Sequence, residues 1–196
     1  MIVPEELQVV EYPHPALRWK SKPVTRIDTH LKKIVERMFE LMYEHKGVGL
    51  AANQVGLPYR VFVINPSGEP DNKEWEMVLI NPEITSRKGS AEGEEGCLSV
   101  PEVYGDVSRS EEIVVDAFDL KGEGFELSLK EFPARVVQHE YDHIDGIMFF
   151  DKLTEASKKD VLPQVEQFVN YYRTGQEKGE IPSDDDINKR LKEIEP

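Results

Sequence analysis

The apolar residues of the chain recur at two spacings, and each spacing predicts a different kind of element. Between Thr29 and Glu44 they recur every three or four residues, which is the pattern of an amphipathic helix with one buried stripe. Asp28 or Thr29 can cap the start of this helix, and Gly47 can end it. The sequence therefore predicts an early helix that packs through a single face.

Short runs of branched and aromatic residues, bounded by Asn-Pro, glycine or charged residues, predict strands. They lie at residues 60–64, 77–80 and 113–118. Residues 125–129 alternate apolar with polar after a glycine-containing turn, as the second strand of a hairpin does. Because these strands do not alternate regularly with the helices, the pattern favours an α+β fold.

The C-terminal third contains two more segments with helical spacing and then a change in composition. Pro133 is suited to the first turn of a helix that ends before Gly146. Residues 162–172 predict a C-terminal packing helix with Pro163 in its first turn. From residue 176 onward the chain is strongly charged. We expect a single catalytic domain at residues 1–175 and, at residues 176–196, a charged tail that is mobile or forms a short exposed helix.

Charge and cysteine content narrow the class of protein. The 196 residues include 24 Lys+Arg and 38 Asp+Glu, a formal net charge of -14, which argues against tight general binding to nucleic acid or to an anionic membrane. Neither a signal peptide nor an apolar run of membrane-spanning length is found, so we expect a cytoplasmic protein with no membrane partner. Cys97 is the only cysteine and cannot form an internal disulfide.

The strongest chemical pattern is the run His139-Glu140-Tyr141-Asp142-His143. Histidines four residues apart on a helix project from one face and can bind one metal ion together. Glu140 lies beside that face and can act as a general base without filling a coordination position. The alternative is a surface helix that happens to carry two histidines.

A hydrolytic metal site usually has three protein ligands and one open position. The third histidine of the extended metalloprotease pattern is missing, since Phe149 occupies its place. The remaining histidines, His14, His30 and His45, are poor candidates. Cys97, alone, is more typical of a small buried core residue, but with the histidine pair it completes a donor set suited to zinc or ferrous iron.

A segment of small residues after the first helix, Gly47 to Gln54, is the third feature. Its glycines permit close approach of another backbone, and the Gln54 amide can donate to a carbonyl oxygen. Alone, this segment is more typical of a helix end followed by a turn. It lacks the lysine and hydroxyl residue that a phosphate-binding loop requires.

Taken together and in this order, the segments Gly47 to Gln54, Glu95 to Ser99 and Gln138 to His143 closely resemble the three signature motifs of the bacterial peptide deformylase family. The likeness spans roughly residues 14–153. It implies a hydrolase that removes the N-formyl group from the N-terminal methionine of nascent polypeptides. It also implies antiparallel sheets around a central helix carrying the histidine motif.

The resemblance also assigns roles to particular residues. Cys97, His139 and His143 are expected to bind one divalent metal ion, natively Fe2+ and replaceable by Zn2+, Ni2+ or Co2+. Glu140 is expected to move the proton from water to the departing amine. Gln54 and the backbone N–H of Leu98 are expected to stabilise the negative charge that develops on the formyl oxygen.

The substrate is expected to bind as an extended strand beside Gly49 and the Cys97 segment. For the methionine side chain, the candidates are Val48, Phe132 and Val136. The resemblance is compatible with a transient association with the ribosome, although an acidic tail replaces the basic helix that docks there in some members. A contact through this tail is therefore not expected.

Two other functions remain open from the sequence. A metallopeptidase would use the same histidine pair and Glu140 to cleave other amides, but its expected third ligand is missing. A protein that binds metal only for stability would use Cys97 and the histidines without turnover. Glu140 beside an open coordination position argues against the second alternative.

Overall fold

The structure, a computed structural model, describes residues 2–196. Within this range no helix is long and apolar enough to span a membrane. Four α-helices are present: α1 (Thr29–Glu44), α2 (Glu131–Ile144), α3 (Glu155–Glu177) and α4 (Asp184–Glu193). Seven strands accompany them: β1 (Gly49–Ala51), β2 (Val61–Ile64), β3 (Met77–Lys88), β4 (Ala91–Cys97), β5 (Val100–Arg109), β6 (Glu112–Phe118) and β7 (Gly124–Lys130).

The strands form two antiparallel sheets. The larger sheet has the order β1-β2-β3-β6-β7, and β4 pairs with β5 in a separate two-stranded sheet. Helix α2 packs against β1, β2, β6 and β7. The fold is α+β, with a central helix that carries the histidine motif and a C-terminal helix, as predicted.

Both faces of β2 are buried, which explains why its sequence is a continuous apolar run. Val61 and Val63 pack with the buried stripe of α1, whereas Phe62 and Ile64 pack with α2. Burial of apolar surface stabilises the fold by about 25 cal/mol per Å2. Because β2 buries apolar side chains on both faces, this end of the sheet is held between α1 and α2. This arrangement places α2 firmly behind the strand that leads into Gln54.

Helix α1 has the predicted bounds because its caps and its stripe agree. The Asp28 carboxylate accepts a hydrogen bond from the Leu31 backbone N–H at 3.0 Å. The helix ends at Glu44, and Lys46, not Gly47, takes the left-handed conformation after it, with φ of 57°. Gly47 instead donates its backbone N–H to the Met42 carbonyl at 2.8 Å.

Three strands are missing from the sequence prediction. β1 has only three residues, and β4 contains two glycines and three glutamates in seven positions, a composition that disfavours strands. β5 is extended because alternate residues, among them Val103 and Val107, face the core. Pairing with β5 holds β4 extended despite its composition.

The prediction that Pro163 lies in the first turn of the C-terminal helix is wrong. Helix α3 starts at Glu155, where the Thr154 side chain accepts from the Ser157 backbone N–H, so Pro163 lies inside the helix. Proline removes one helical hydrogen bond there. Burial of Val161 and Val165 against β5 stabilises the helix on both sides of the proline.

The segment after residue 176 is partly packed. Helix α4 is capped by the Ser183 side chain, and it buries Ile187 and Leu191 against Ala16 and Trp19. One face of the predicted exposed helix is therefore covered. The division into a domain at 1–175 and a tail at 176–196 stays a prediction.

The docking of α4 makes the stability of the fold sensitive to pH through His14. Burial lowers the pKa of His14 from 6.5 to about 4, with Asp184 opposing this effect and Arg190 adding to it. Because the unfolded chain takes up the proton first, folding stability should fall as pH drops from 6.5 to 4, by up to about 3 kcal/mol.

His14→Asn isolates this effect. The asparagine oxygen can replace His14 Nδ1, which accepts from the Ala16 backbone N–H at 3.2 Å, and it does not titrate. In urea unfolding at pH 7 and pH 5, the variant should lose less stability between the two pH values than the unchanged protein. An identical loss in both proteins would show that His14 is not the titrating group.

Candidate active site

Three separate segments meet at one cleft with a volume of about 470 Å3. They are the short 3-10 helix Ala52–Val55, the turn after β4 and the face of α2. The cleft is lined by nine of the residues singled out in the sequence: Val48, Gly49, Gln54, Cys97, Leu98, Phe132, Val136, His139 and Glu140. Phe132 stands at its mouth, since 51% of its surface is exposed.

Cys97, His139 and His143 present one donor atom each to the same point. Cys97 Sγ lies 3.2 Å from His143 Nε2, and the two histidine Nε2 atoms are 3.1 Å apart. All three atoms lie within 4.8 Å of one another. A thiol and two imidazoles suit Zn2+ or Fe2+, so this cluster can hold a divalent metal ion.

The electrostatic surroundings of the cluster favour a cation. Burial acts to lower the pKa of His139, but the bonds to Cys97 and Glu95 outweigh it and raise the pKa to about 10. The Glu95 carboxylate and the Cys97 thiol therefore favour positive charge on this ring, and a metal ion would have to displace its proton. Burial and the neighbouring His139 lower the pKa of His143 well below its usual 6.5, which keeps it in the neutral form that binds metals.

Glu140 is held beside the cluster in a buried position. Its Oε2 atom is buried and has no hydrogen-bond partner in the described protein. Burial raises the pKa of Glu140 to about 7, which suits a group that must both accept and release a proton near neutral pH. The unpartnered oxygen points to a polar group, such as water or substrate, that belongs beside it.

Gly49 makes room for this carboxylate. A Cβ atom at Gly49 would lie 2.5 Å from Glu140 Oε1 and 2.8 Å from its Cδ.

Gly49→Ala should therefore displace the carboxylate and lower kcat by about tenfold or more, with unchanged metal content. Gly124→Ala on β7, where the new Cβ would meet Phe118 at 3.6 Å, serves as the control and should leave kcat unchanged. Equal kcat values for both variants and the unchanged protein would contradict this role of Gly49.

The backbone of Ala51, three residues earlier, orients the side chain of Gln54. Its Oε1 atom accepts from the Ala51 backbone N–H at 2.7 Å, so its amide nitrogen must point the other way. That nitrogen donates to Cys97 Sγ and to Ser99 Oγ, each at 3.4 Å. The amide N–H groups therefore face the cluster, where an oxygen could replace the thiol as acceptor.

A buried network of charges lies behind the histidines. Arg109 donates to both oxygens of Glu95, at 2.9 and 2.8 Å, and also to Asp142. Glu95 Oε2 lies 3.0 Å from His139 Nδ1. Burial alone would raise the pKa of Glu95, but the bonds from Arg109 and His139 hold it well below its usual range. Glu95 therefore stays ionised and fixes the orientation of the His139 ring.

Comparison with known proteins decides the family. The family model described as polypeptide deformylase matches residues 6–159. The chain belongs to the polypeptide deformylase family. Members are metal-dependent hydrolases that remove the formyl group from the N-terminal methionine of nascent peptides, and this is the reaction of the present deformylase.

Relatives of this deformylase match it along most of its length. A peptide deformylase of Rhodopirellula baltica is 48% identical over 89% of the chain and 87% of its own length. The chloroplastic/mitochondrial peptide deformylase 1B of Arabidopsis thaliana is 41% identical over 95% of the chain and 67% of its own length. Since the relatives include bacterial and organellar proteins, the cytoplasmic location stays a prediction.

Solved structures agree with this assignment. A plant peptide deformylase superposes with a TM-score of 0.84 at 40% identity, covering 93% of this chain and 98% of that one. The Plasmodium falciparum peptide deformylase gives 0.83 at 38% identity, covering 85% and 98%. The fold of the deformylase is therefore that of its family.

Several residues that support the site escape the sequence prediction. Asn53 is fully buried and donates to the backbone carbonyl of His143, which ties the 3-10 helix to α2. Arg109 does give a signal, because it occupies the apolar face of β5 in register with Val103 and Val107. A charged residue on an apolar face indicates a buried ion pair.

The three histidines judged poor candidates lie apart from the donor cluster. His45 lines the outer cleft. His14 lies beside α4, and His30 lies in the first turn of α1. None of them belongs to the cluster of donor atoms.

Proposed function

We propose that this deformylase holds one divalent metal ion through Cys97, His139 and His143, and that Fe2+ is the native ion, with Zn2+, Ni2+ or Co2+ able to replace it. When bound, the metal supplies Lewis acidity that activates water and polarises the formyl carbonyl. The observation that carries the proposal is the convergence of three donor atoms within 4.8 Å.

Glu140 acts as the general base and then as the general acid. It accepts a proton from the attacking water and delivers it to the amine that departs from the formyl carbon. Its burial and its raised pKa of about 7 support both steps, because such a carboxyl group exchanges protons easily near neutral pH. Among residues 2–196, three other carboxylates line the cleft: Glu95 is bound by Arg109, and Glu94 and Glu102 are exposed.

Gln54 and Leu98 stabilise the oxygen of the formyl group as it becomes negative. The Gln54 amide nitrogen is directed to the cluster by the bond between its Oε1 atom and Ala51. The backbone N–H of Leu98, next to Cys97, is the second donor. Single donors of this kind are typically worth about 3 kcal/mol of transition-state stabilisation.

The substrate lies along the same cleft in an extended form. Gly49 and the segment beside Cys97 pair with its backbone, and Val48, Phe132 and Val136 surround the methionine side chain. All of these residues line the cleft. The partners are N-formylmethionyl nascent peptides, with a transient association with the ribosome while the chain emerges.

The test is release of formate by apoprotein reloaded with Fe2+ without oxygen, or with Zn2+, Ni2+ or Co2+. The substrates are N-formyl-methionyl-alanyl-serine, its N-acetyl analogue and the free tripeptide. Rapid hydrolysis of the formyl peptide alone, fastest with Fe2+, is expected. Cleavage of an internal amide would indicate a metallopeptidase instead. Metal-dependent folding without any hydrolysis would indicate a structural metal site.

A further inference from the structure

Arg135 is a charged residue on the metal-carrying helix that the reaction scheme does not use. Its side chain is only 14% exposed, lines the cleft and extends from α2 to the β4–β5 hairpin. It donates to the backbone carbonyls of Ala91 at 2.7 Å, Val107 at 2.9 Å and Gly93 at 3.4 Å. It also donates to Glu95 Oε1 at 2.7 Å. One guanidinium therefore ties α2 to both strands of the hairpin.

These contacts fix which edge of β4 is free. The same Arg135 nitrogen reaches the carbonyls of Gly93 and Val107, which are paired across the hairpin, so both carbonyls point between the strands. Backbone groups alternate in direction along a strand, so those of Glu94 and Gly96 point to the opposite edge. In residues 2–196, β4 pairs with no strand other than β5, and this edge lies along the cleft.

The guanidinium also determines the distance between β4 and α2. A Cβ atom at Gly93 would lie 3.1 Å from Arg135 Cζ, so the strand rests directly on the arginine. Arg135 is not needed to hold Glu95, because Arg109 binds both oxygens of that carboxylate. The role that no other residue duplicates is therefore the support that Arg135 gives to the backbone of β4.

We propose that Arg135 is a positioning residue that fixes the free edge of β4 relative to α2 and thereby determines how tightly the enzyme holds the substrate residues after formylmethionine. The inference rests on the proposed function, in which the substrate pairs with this edge. The formyl group contacts Gln54, and the methionine side chain contacts Val48, Phe132 and Val136, instead. Loss of Arg135 therefore affects binding in proportion to the length of the substrate.

The experiment compares formyl-methionine amide, which has no residue after methionine, with N-formyl-methionyl-alanyl-serine. For Arg135→Met, KM for the tripeptide should rise about tenfold, while its kcat and both constants for the amide change less than about twofold. Arg135→Lys should restore part of the tripeptide KM, because an ammonium group still offers three donors. Ser90→Ala, which removes the exposed bond to Ser108 at the far end of the same hairpin, is the matched control and should change nothing.

Gly93→Ala tests the same proposal with the arginine retained, and it decides the matter if Arg135→Met does not fold. Its new methyl group would lie 3.1 Å from Arg135 Cζ, so strand and guanidinium must move apart slightly, and the tripeptide KM should rise in the same selective way. Equal effects on both substrates, or an effect on kcat alone, would overturn the proposal. If the unchanged, metal-loaded protein releases no formate from either substrate, the proposed function itself fails, which is a separate result.

Discussion

Glu140→Ala is expected to lower kcat for formate release by about 10²- to 10⁴-fold, the range typical for loss of a general acid–base group. The effect should fall on kcat, since Glu140 is buried beside the donor cluster and its Oε2 atom has no protein partner. The metal content should stay the same, because Cys97, His139 and His143 are all retained. The measurement is steady-state release of formate together with metal analysis of the same preparation.

The companion variant is Glu140→Gln, which keeps the shape of the side chain and loses its charge and its ability to accept a proton. Both variants should be inactive to a similar degree if proton transfer is the role of Glu140. A Glu140→Gln protein that retains more than about a tenth of the normal kcat would show that the residue serves packing or polarity instead. A loss of metal in either variant would assign it to metal binding.

The sequence predicts the helices more fully than the strands, for physical reasons visible in single elements. Helix α1 combines a capping aspartate, Asp28, with an uninterrupted apolar stripe, so local signals suffice. Strand β4 has no such signal, because its extended form depends on pairing with β5 and on the support of Arg135. Contacts between distant segments override local preference here.

The candidate site shows the same division. The sequence points to His139, Glu140 and His143 through their spacing on one helix, and to Cys97 through its resemblance to a known motif. Both are local features of the sequence. Arg109 lies 14 positions from Glu95 and 33 positions from Asp142 in the sequence. Because the partners are so far apart, no local spacing predicts this network. Only the position of Arg109 among the inward-facing residues of β5 hints at its burial.

Arg109→Met should cause a large loss of stability in this deformylase. The change removes one partner of two carboxylates, Glu95 and Asp142, which are 7% exposed each. Glu95 keeps Arg135 and Asp142 keeps Lys152 as a partner, so we expect a loss at the lower end of the about 3–5 kcal/mol that breaking a buried ion pair typically costs. For a domain of this size we expect the thermal midpoint to fall by about 10 °C, measured by calorimetry on the metal-loaded protein.

The matched control is Arg37→Met, which removes the pairs of Arg37 with Glu40 and Glu44 on the outer face of α1. Exposed pairs are worth about 0–1 kcal/mol, so the midpoint should move by only a few degrees. Equal shifts in the two variants would mean that the Arg109 network is not the stronger one. Metal affinity should also differ between the two variants. Because Arg109 holds Glu95 and Glu95 orients His139, Arg109→Met should weaken metal binding by about 10- to 100-fold. Arg37→Met should leave metal binding unchanged.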